Sequence, residues 1–228
     1  MTGSPTGIKR TSRRRGLAPG NRPTTLVATL PSDLTLQGTA GARKTMTTHI
    51  VAERPQDAAL LDSLLDRTFG SDRHKKTVYR LREGLPPVPG LAFSAIDEAG
   101  TLLGSLRFWP VLIGRTRAIV LGPLAVEPVL QGMGIGRALV RHGLDVAQAL
   151  GETICVVVGA PDYYQPFGFT NAEAAGLKLP GPVDAPRFQV LELAPGALAT
   201  VTGMISRADA RAVEFSRGRP TPKRRIVR

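Results

Sequence analysis

Glycine occupies every second position of one short segment, Gln131-Gly132-Met133-Gly134-Ile135-Gly136-Arg137-Ala138. Apolar residues at Ile135, Ala138, Leu139, Leu144 and Ala147 predict a helix over residues 134–150, closed by Gly151. Glycines at a helix start leave backbone N–H groups open, and a helix tip carries roughly half a positive charge. Such a tip suits a phosphate or pyrophosphate without any lysine. A dinucleotide fingerprint would need glycine at 137 or 139, where Arg137 and Leu139 stand. A P-loop would need Gly-Lys-Ser/Thr, which does not occur. Both nucleotide readings fail.

The elements around this loop must place it. His49–Ala52 is an expected strand, and residues 57–67 carry an apolar stripe at Ala58, Leu61, Leu64 and Leu65 that predicts a helix. A second short helix is expected over 77–82, ended by Pro86, Pro87 and Pro89. A meander follows, with strands expected at 91–96, 102–111 and 117–126. Gly122-Pro123 interrupts the last of these, since proline donates nothing to a ladder and strand glycine marks bulges. After the helix, residues 153–158 form a continuous β-branched run, the pattern of a strand covered on both faces. A final strand is expected at 188–193. The fold class is α/β with a mixed sheet. Cys155 reads as core, and His74 and His142 as surface residues. No metal is expected.

The chain has 228 residues, one cysteine and a formal net charge of +12. The charge is unevenly spread. Residues 1–45 carry eight Lys/Arg against Asp33, and residues 207–228 carry eight against Asp209 and Glu214, leaving a net of −1 for the remainder. The expected organisation is a disordered basic N-terminal extension over 1–45, a domain over 46–206 and a basic tail over 207–228. Met46 opens the segment that reads as the start of the domain, and is an expected alternative start of translation. The tails lack interleaved aromatics, so nucleic acid is not the expected partner. No apolar run reaches the length a membrane helix needs, and an export signal is broken by Pro19, Gly20 and Pro23. The expected compartment is the cytoplasm. Arg73, Lys75 and Lys76 read as a solvated face, with an acidic acceptor as the alternative.

Gln131 to Ala138 resembles the acyl-coenzyme-A pyrophosphate loop of the GNAT superfamily of N-acetyltransferases. Leu121-Gly122-Pro123-Leu124-Ala125-Val126 is similar to that family's fourth strand, and Ala160-Pro161-Asp162-Tyr163-Tyr164-Gln165-Pro166-Phe167-Gly168-Phe169 to the YYxxFGF segment of one bacterial branch. The resemblance covers about residues 46–195. It implies splayed central strands with the acyl-CoA arm between them, held by Leu124, Ala125 and Val126. It also implies pyrophosphate on Gln131, Gly132, Met133, Gly134, Ile135, Gly136, Arg137 and Ala138, and Tyr164 as the group that meets the departing thiolate, with Tyr163 the weaker alternative. The base that takes the amine's proton is not singled out; Glu127 and Asp162 are the candidates. An asparagine found after the family's fifth strand is missing here, where Gly159-Ala160-Pro161 stands. The activity implied is direct transfer of an acetyl or other acyl group from acetyl-CoA or another acyl-CoA to a small-molecule or peptide amine. A homodimer is frequent in the superfamily. A non-catalytic acyl-CoA-binding sensor is the alternative. Acceptor choice is expected to lie in residues 57–90 and 170–190.

Overall fold

The computed structural model describes residues 28–29, 47–75 and 77–208, with backbone only for 28–29 and Lys75. The basic extensions expected at 1–45 and 207–228, and Lys76, lie almost wholly outside the described residues. Ala28–Thr29 forms a two-residue strand, β1, paired antiparallel with β2, His49–Ala52. Helix α1, Ala58–Phe69, buries Leu61, Leu64 and Leu65, the stripe its periodicity predicts. It is followed by the short helix α2, Thr77–Arg80.

The meander is β3, Ala92–Ile96, β4, Leu102–Ile113, and β5, Thr116–Val126, all antiparallel. Helix α3, Ile135–Ala149, then crosses to β6, Ile154–Val158, which lies parallel to β5. A parallel neighbour needs such a crossover, whereas the antiparallel pairs are joined by turns. Four residues of β6 are buried, as its β-branched run predicts. The chain continues through α4, Pro161–Tyr164, and short strands β7, Thr170–Asn171, and β8, Leu177–Lys178. It ends in β9, Phe188–Glu192, against β6, and β10, Gly203–Arg207, against the far half of β4. β1, which falls within the extension expected to be disordered, and β7, β8 and β10 were not expected from the sequence.

Alternation along β5 sends successive side chains to opposite faces. Ala125 packs on Leu64 and Leu65 of α1, while Val126 joins Ile135, Leu139 and Val140 of α3 beneath the other face. Helix α3 approaches β4 closely through Gly143, where a β-carbon would stand 2.5 Å from the Phe108 ring. Two expectations need correction. Arg73 is not on a solvated face: it is 5% exposed and ion-paired with Asp62 and Asp66 of α1. His142 is half-buried, edge-on to Phe93 at 4.9 Å, because that turn of α3 leans on β3. Cys155 is fully buried, as expected.

Candidate active site

Two irregularities open the sheet. The first is the interruption at Gly122-Pro123. Leu124 pairs with Leu106 and Leu121 with Phe108, so Gly122 and Pro123 together face the single residue Arg107. That is a β-bulge with one extra residue in β5, as the sequence implied. Gly122 has a φ of +118°, which only glycine adopts without strain, and its following peptide is cis. The second irregularity is the β5–β6 pair. Its register contains only Ile119 with Cys155 and Val120 with Val156. Beyond them β5 runs on to Val126 and β6 to Val158 without pairing to each other. The two strands splay apart.

What faces the opening follows from the ladder. Glu127 N–H donates to the Leu103 carbonyl at 2.9 Å, and Ala125 pairs with Ser105 two residues earlier. Alternation therefore turns the Ala125 backbone toward β4 and the Leu124 and Val126 backbone into the opening. Consistent with this, the Gln131 side-chain amide donates to the Val126 carbonyl at 3.3 Å. At the foot of the opening stands the tip of α3. Gly134 takes the cap position with a φ of +87°, and no side chain caps the helix. Ala138 N–H is already bonded to the Gly134 carbonyl, whereas the amides of Ile135, Gly136 and Arg137 have no backbone acceptor among the described residues. Gly132 and Met133 form the approach to the tip. Uncapped amides at a positive helix end fit a pyrophosphate.

Tyr163 and Tyr164 close the far wall from α4. The Tyr163 hydroxyl rests over Gly136, where any β-carbon would collide with it. The Tyr164 ring occupies the space that a β-carbon at Gly159 would take. Tyr164 is 8% exposed, and its ring stacks edge-on with Tyr163 at 5.0 Å and Phe169 at 5.7 Å. Burial pushes its phenol well above the ordinary tyrosine value; Tyr163 and Cys155 add to the rise, and Arg82 and Arg187 oppose it. Both tyrosines line a cleft of about 950 Å³ with Leu121 to Leu124, Val157 to Ala160, and the ends of α1 and α2. The bases considered from sequence stand apart from it. Glu127 is clamped by Arg67 through contacts of 2.5 and 3.3 Å, and Asp162 is exposed; neither lines the cleft. Asp184, unmarked in the sequence, does. So do Tyr79, in α2, and Arg82, in the turn that follows it; the sequence marked neither.

A mixed sheet parted at a parallel pair, with a bare helix tip below and a buried tyrosine opposite, defines an acyl-CoA-dependent acyltransferase. The sequence profile of the Acetyltransferase (GNAT) family matches residues 58–169. The N-acetyltransferase YhbS of Escherichia coli K12 is 37% identical over 158 residues, spanning 68% of this chain and 93% of that protein. YjhQ of the same organism is 31% identical over 171 residues, spanning 67% and 88%. The crystal structure of YhbS in complex with CoA superposes with a TM-score of 0.65 at 34% identity, covering 74% of this chain and 94% of that one. A GNAT-family acetyltransferase from Brucella melitensis in complex with acetyl-CoA gives 0.55 at 30% identity, covering 72% and 97%. The chain belongs to the GNAT family of acetyltransferases. No helix among its described residues is long and apolar enough to cross a membrane, and none of its described residues form a metal-binding group.

Proposed function

We propose that this protein transfers an acetyl group from acetyl-CoA to a primary amine while both are bound, without a covalent enzyme intermediate. The observation that carries the reading is the parting of β5 from β6 after Val120 and Val156, directly above the uncapped tip of α3. The Leu124 and Val126 backbones take the cofactor's amide-bearing arm as an added strand. The amides of Ile135, Gly136 and Arg137, reached past Gln131, Gly132, Met133 and Gly134, take its pyrophosphate; Ala138 supports the tip by packing. Acetyl-CoA supplies the acyl carbon as a thioester.

The chain's own groups then act on charge and protons. An amide at Leu124 or Val126 stabilises negative charge growing on the thioester oxygen, an effect of about 10²–10³ in rate for one fixed donor. Tyr164 donates a hydrogen bond to the departing sulfur. With ordinary values of about 10 for a phenol and 8.5 for a thiol, full proton transfer is uphill by roughly 2 kcal/mol. Burial of Tyr164 steepens that further, so its part is a donated hydrogen bond. The amine's proton leaves through solvent toward a carboxylate; Asp184, on the cleft wall, and Glu127, beside Arg67, are the two to compare. The single cysteine is buried and unpaired, which suits a reducing compartment, and the cytoplasm is the compartment we adopt.

The test is Tyr164→Phe. Thiol release from acetyl-CoA with an amine acceptor should fall about 10²-fold in kcat, while calorimetric affinity for acetyl-CoA stays at the wild-type value. A wild-type protein that binds acetyl-CoA yet releases no thiol with any amine would instead be an acyl-CoA-binding module without catalysis.

A further inference from the structure

Next to the acyl-CoA cleft lies a second cavity of about 330 Å³, and the two meet at Tyr79, Arg82 and Pro123. Its wall carries an unusual set of polar atoms. The Arg82, Arg73 and Trp109 side chains each line it, and the Nε of both arginines and the Nε1 of Trp109 are buried with no hydrogen-bond partner. All three are donors and none can accept. A buried donor left unmade costs about 1–3 kcal/mol, so three on one wall point to an acceptor-bearing occupant.

Among the arginines of the wall that are not exposed, the charges single out one. Arg73 is neutralised by Asp62 and Asp66, and Arg107 by a two-pronged pair with Glu53 at 2.6 and 2.8 Å. Arg82 has no carboxylate within ion-pair distance among the described residues, although it is 8% exposed. Its guanidinium is instead held by packing, 5.1 Å from the centre of the Tyr79 ring and against Gly122, where a β-carbon would come within 3.1 Å of Nη2. Burial lowers its pKa to about 10, so it is still charged at neutral pH. One buried, uncompensated, planar cation matches one monoanion in a planar fork.

Resting on the reading that the cleft binds acetyl-CoA, we propose that Arg82 recognises a carboxylate on the acceptor, so that the substrates are amines that also carry a carboxylate, such as amino acids or the ends of acidic peptides. The carboxylate sits in the smaller cavity on Arg82, flanked by Trp109, and the amine points across Pro123 toward the parted strands. A monoanion is favoured over a phosphate because Arg73 and Arg107 are already paired and the remaining arginine of the wall, Arg80, is exposed to solvent.

N-acetylated amino acids and their carboxamides are the probes, because they mimic the product and differ only in the charge. Calorimetry on the full chain should give the acids at least about tenfold tighter binding than the amides. Arg82→Met should erase that preference, and Arg82→Lys, which keeps charge without the fork, should restore part of it. Equal binding of acids and amides by the wild-type protein overturns the proposal, as does a preference that persists in Arg82→Met. Should Arg82→Met not fold, the wild-type preference and its weakening in Arg82→Lys decide. Acetyl-CoA affinity is measured on the same samples: if it is intact, absence of the preference in the wild-type protein counts against the role of Arg82 alone, and if the wild-type protein lacks acetyl-CoA affinity, the underlying site assignment fails.

Discussion

Tyr164 and Gly159 form one unit, because the ring of the first fills the space the second leaves by lacking a β-carbon. Gly159→Ala should therefore displace the phenol and lower kcat about tenfold or more, by misplacing a donor rather than deleting it. Acetyl-CoA affinity should change far less, since the amides of the α3 tip are untouched; steady-state rates alongside calorimetry separate the two. The raised phenol makes a second prediction. Tyr164 stays protonated beyond the ordinary tyrosine range, so kcat should have no falling limb from this residue near pH 10. Tyr164 could be singled out through the resemblance of residues 160–169 to a segment of the family, not through any local physical signal. Arg82 was not, because an arginine with no partner differs from a solvated one only in what three distant segments place around it. Nothing in the sequence separated Glu127 from Asp162 as the base, and Arg67, sixty positions away, is what claims the Glu127 carboxylate.

At the scale of elements, the close approach of α3 to β4 sets the height of the helix tip beneath the opening. Gly143→Ala brings two effects of opposite sign. Alanine favours the helix by about 1 kcal/mol, while forcing a methyl group against Phe108 costs about 1–3 kcal/mol. The clash should win, with a net loss of about 1 kcal/mol in urea unfolding and weaker acetyl-CoA binding as the tip moves. Helices α1 and α3 could be read from their apolar stripes and β6 from its β-branched run, because each is buried over a continuous face or on both faces. The bulge was legible too, from a glycine and a proline in a strand. β7 and β8 are two residues each, too short for any period, and β10 buries only Ile205 of its five residues. Long-range pairing with β4 makes β10 a strand, and no local pattern encodes that.

For the whole molecule, the phenols of Tyr79, Tyr163 and Tyr164 are all raised by burial. The folded state therefore holds these protons more tightly than the unfolded chain. Their contribution is complete below the unfolded value of about 10 and is lost as pH climbs from there through the folded values. The urea midpoint should fall on the alkaline side, and more gently in Tyr164→Phe. The overall charge of +12 was a misleading guide to function until it was located, because the domain between the basic ends is close to neutral. The loosely joined β5 and β6 have a mechanical consequence. Only two register pairs stitch the meander to the strands that follow α3 on that side, and the main clasp from the other direction is β10 on β4. A ligand lying in the gap would act as mortar between the two halves. In hydrogen–deuterium exchange, the Leu124 and Val126 amides should trade quickly in the empty protein and slow sharply once acetyl-CoA fills the seam.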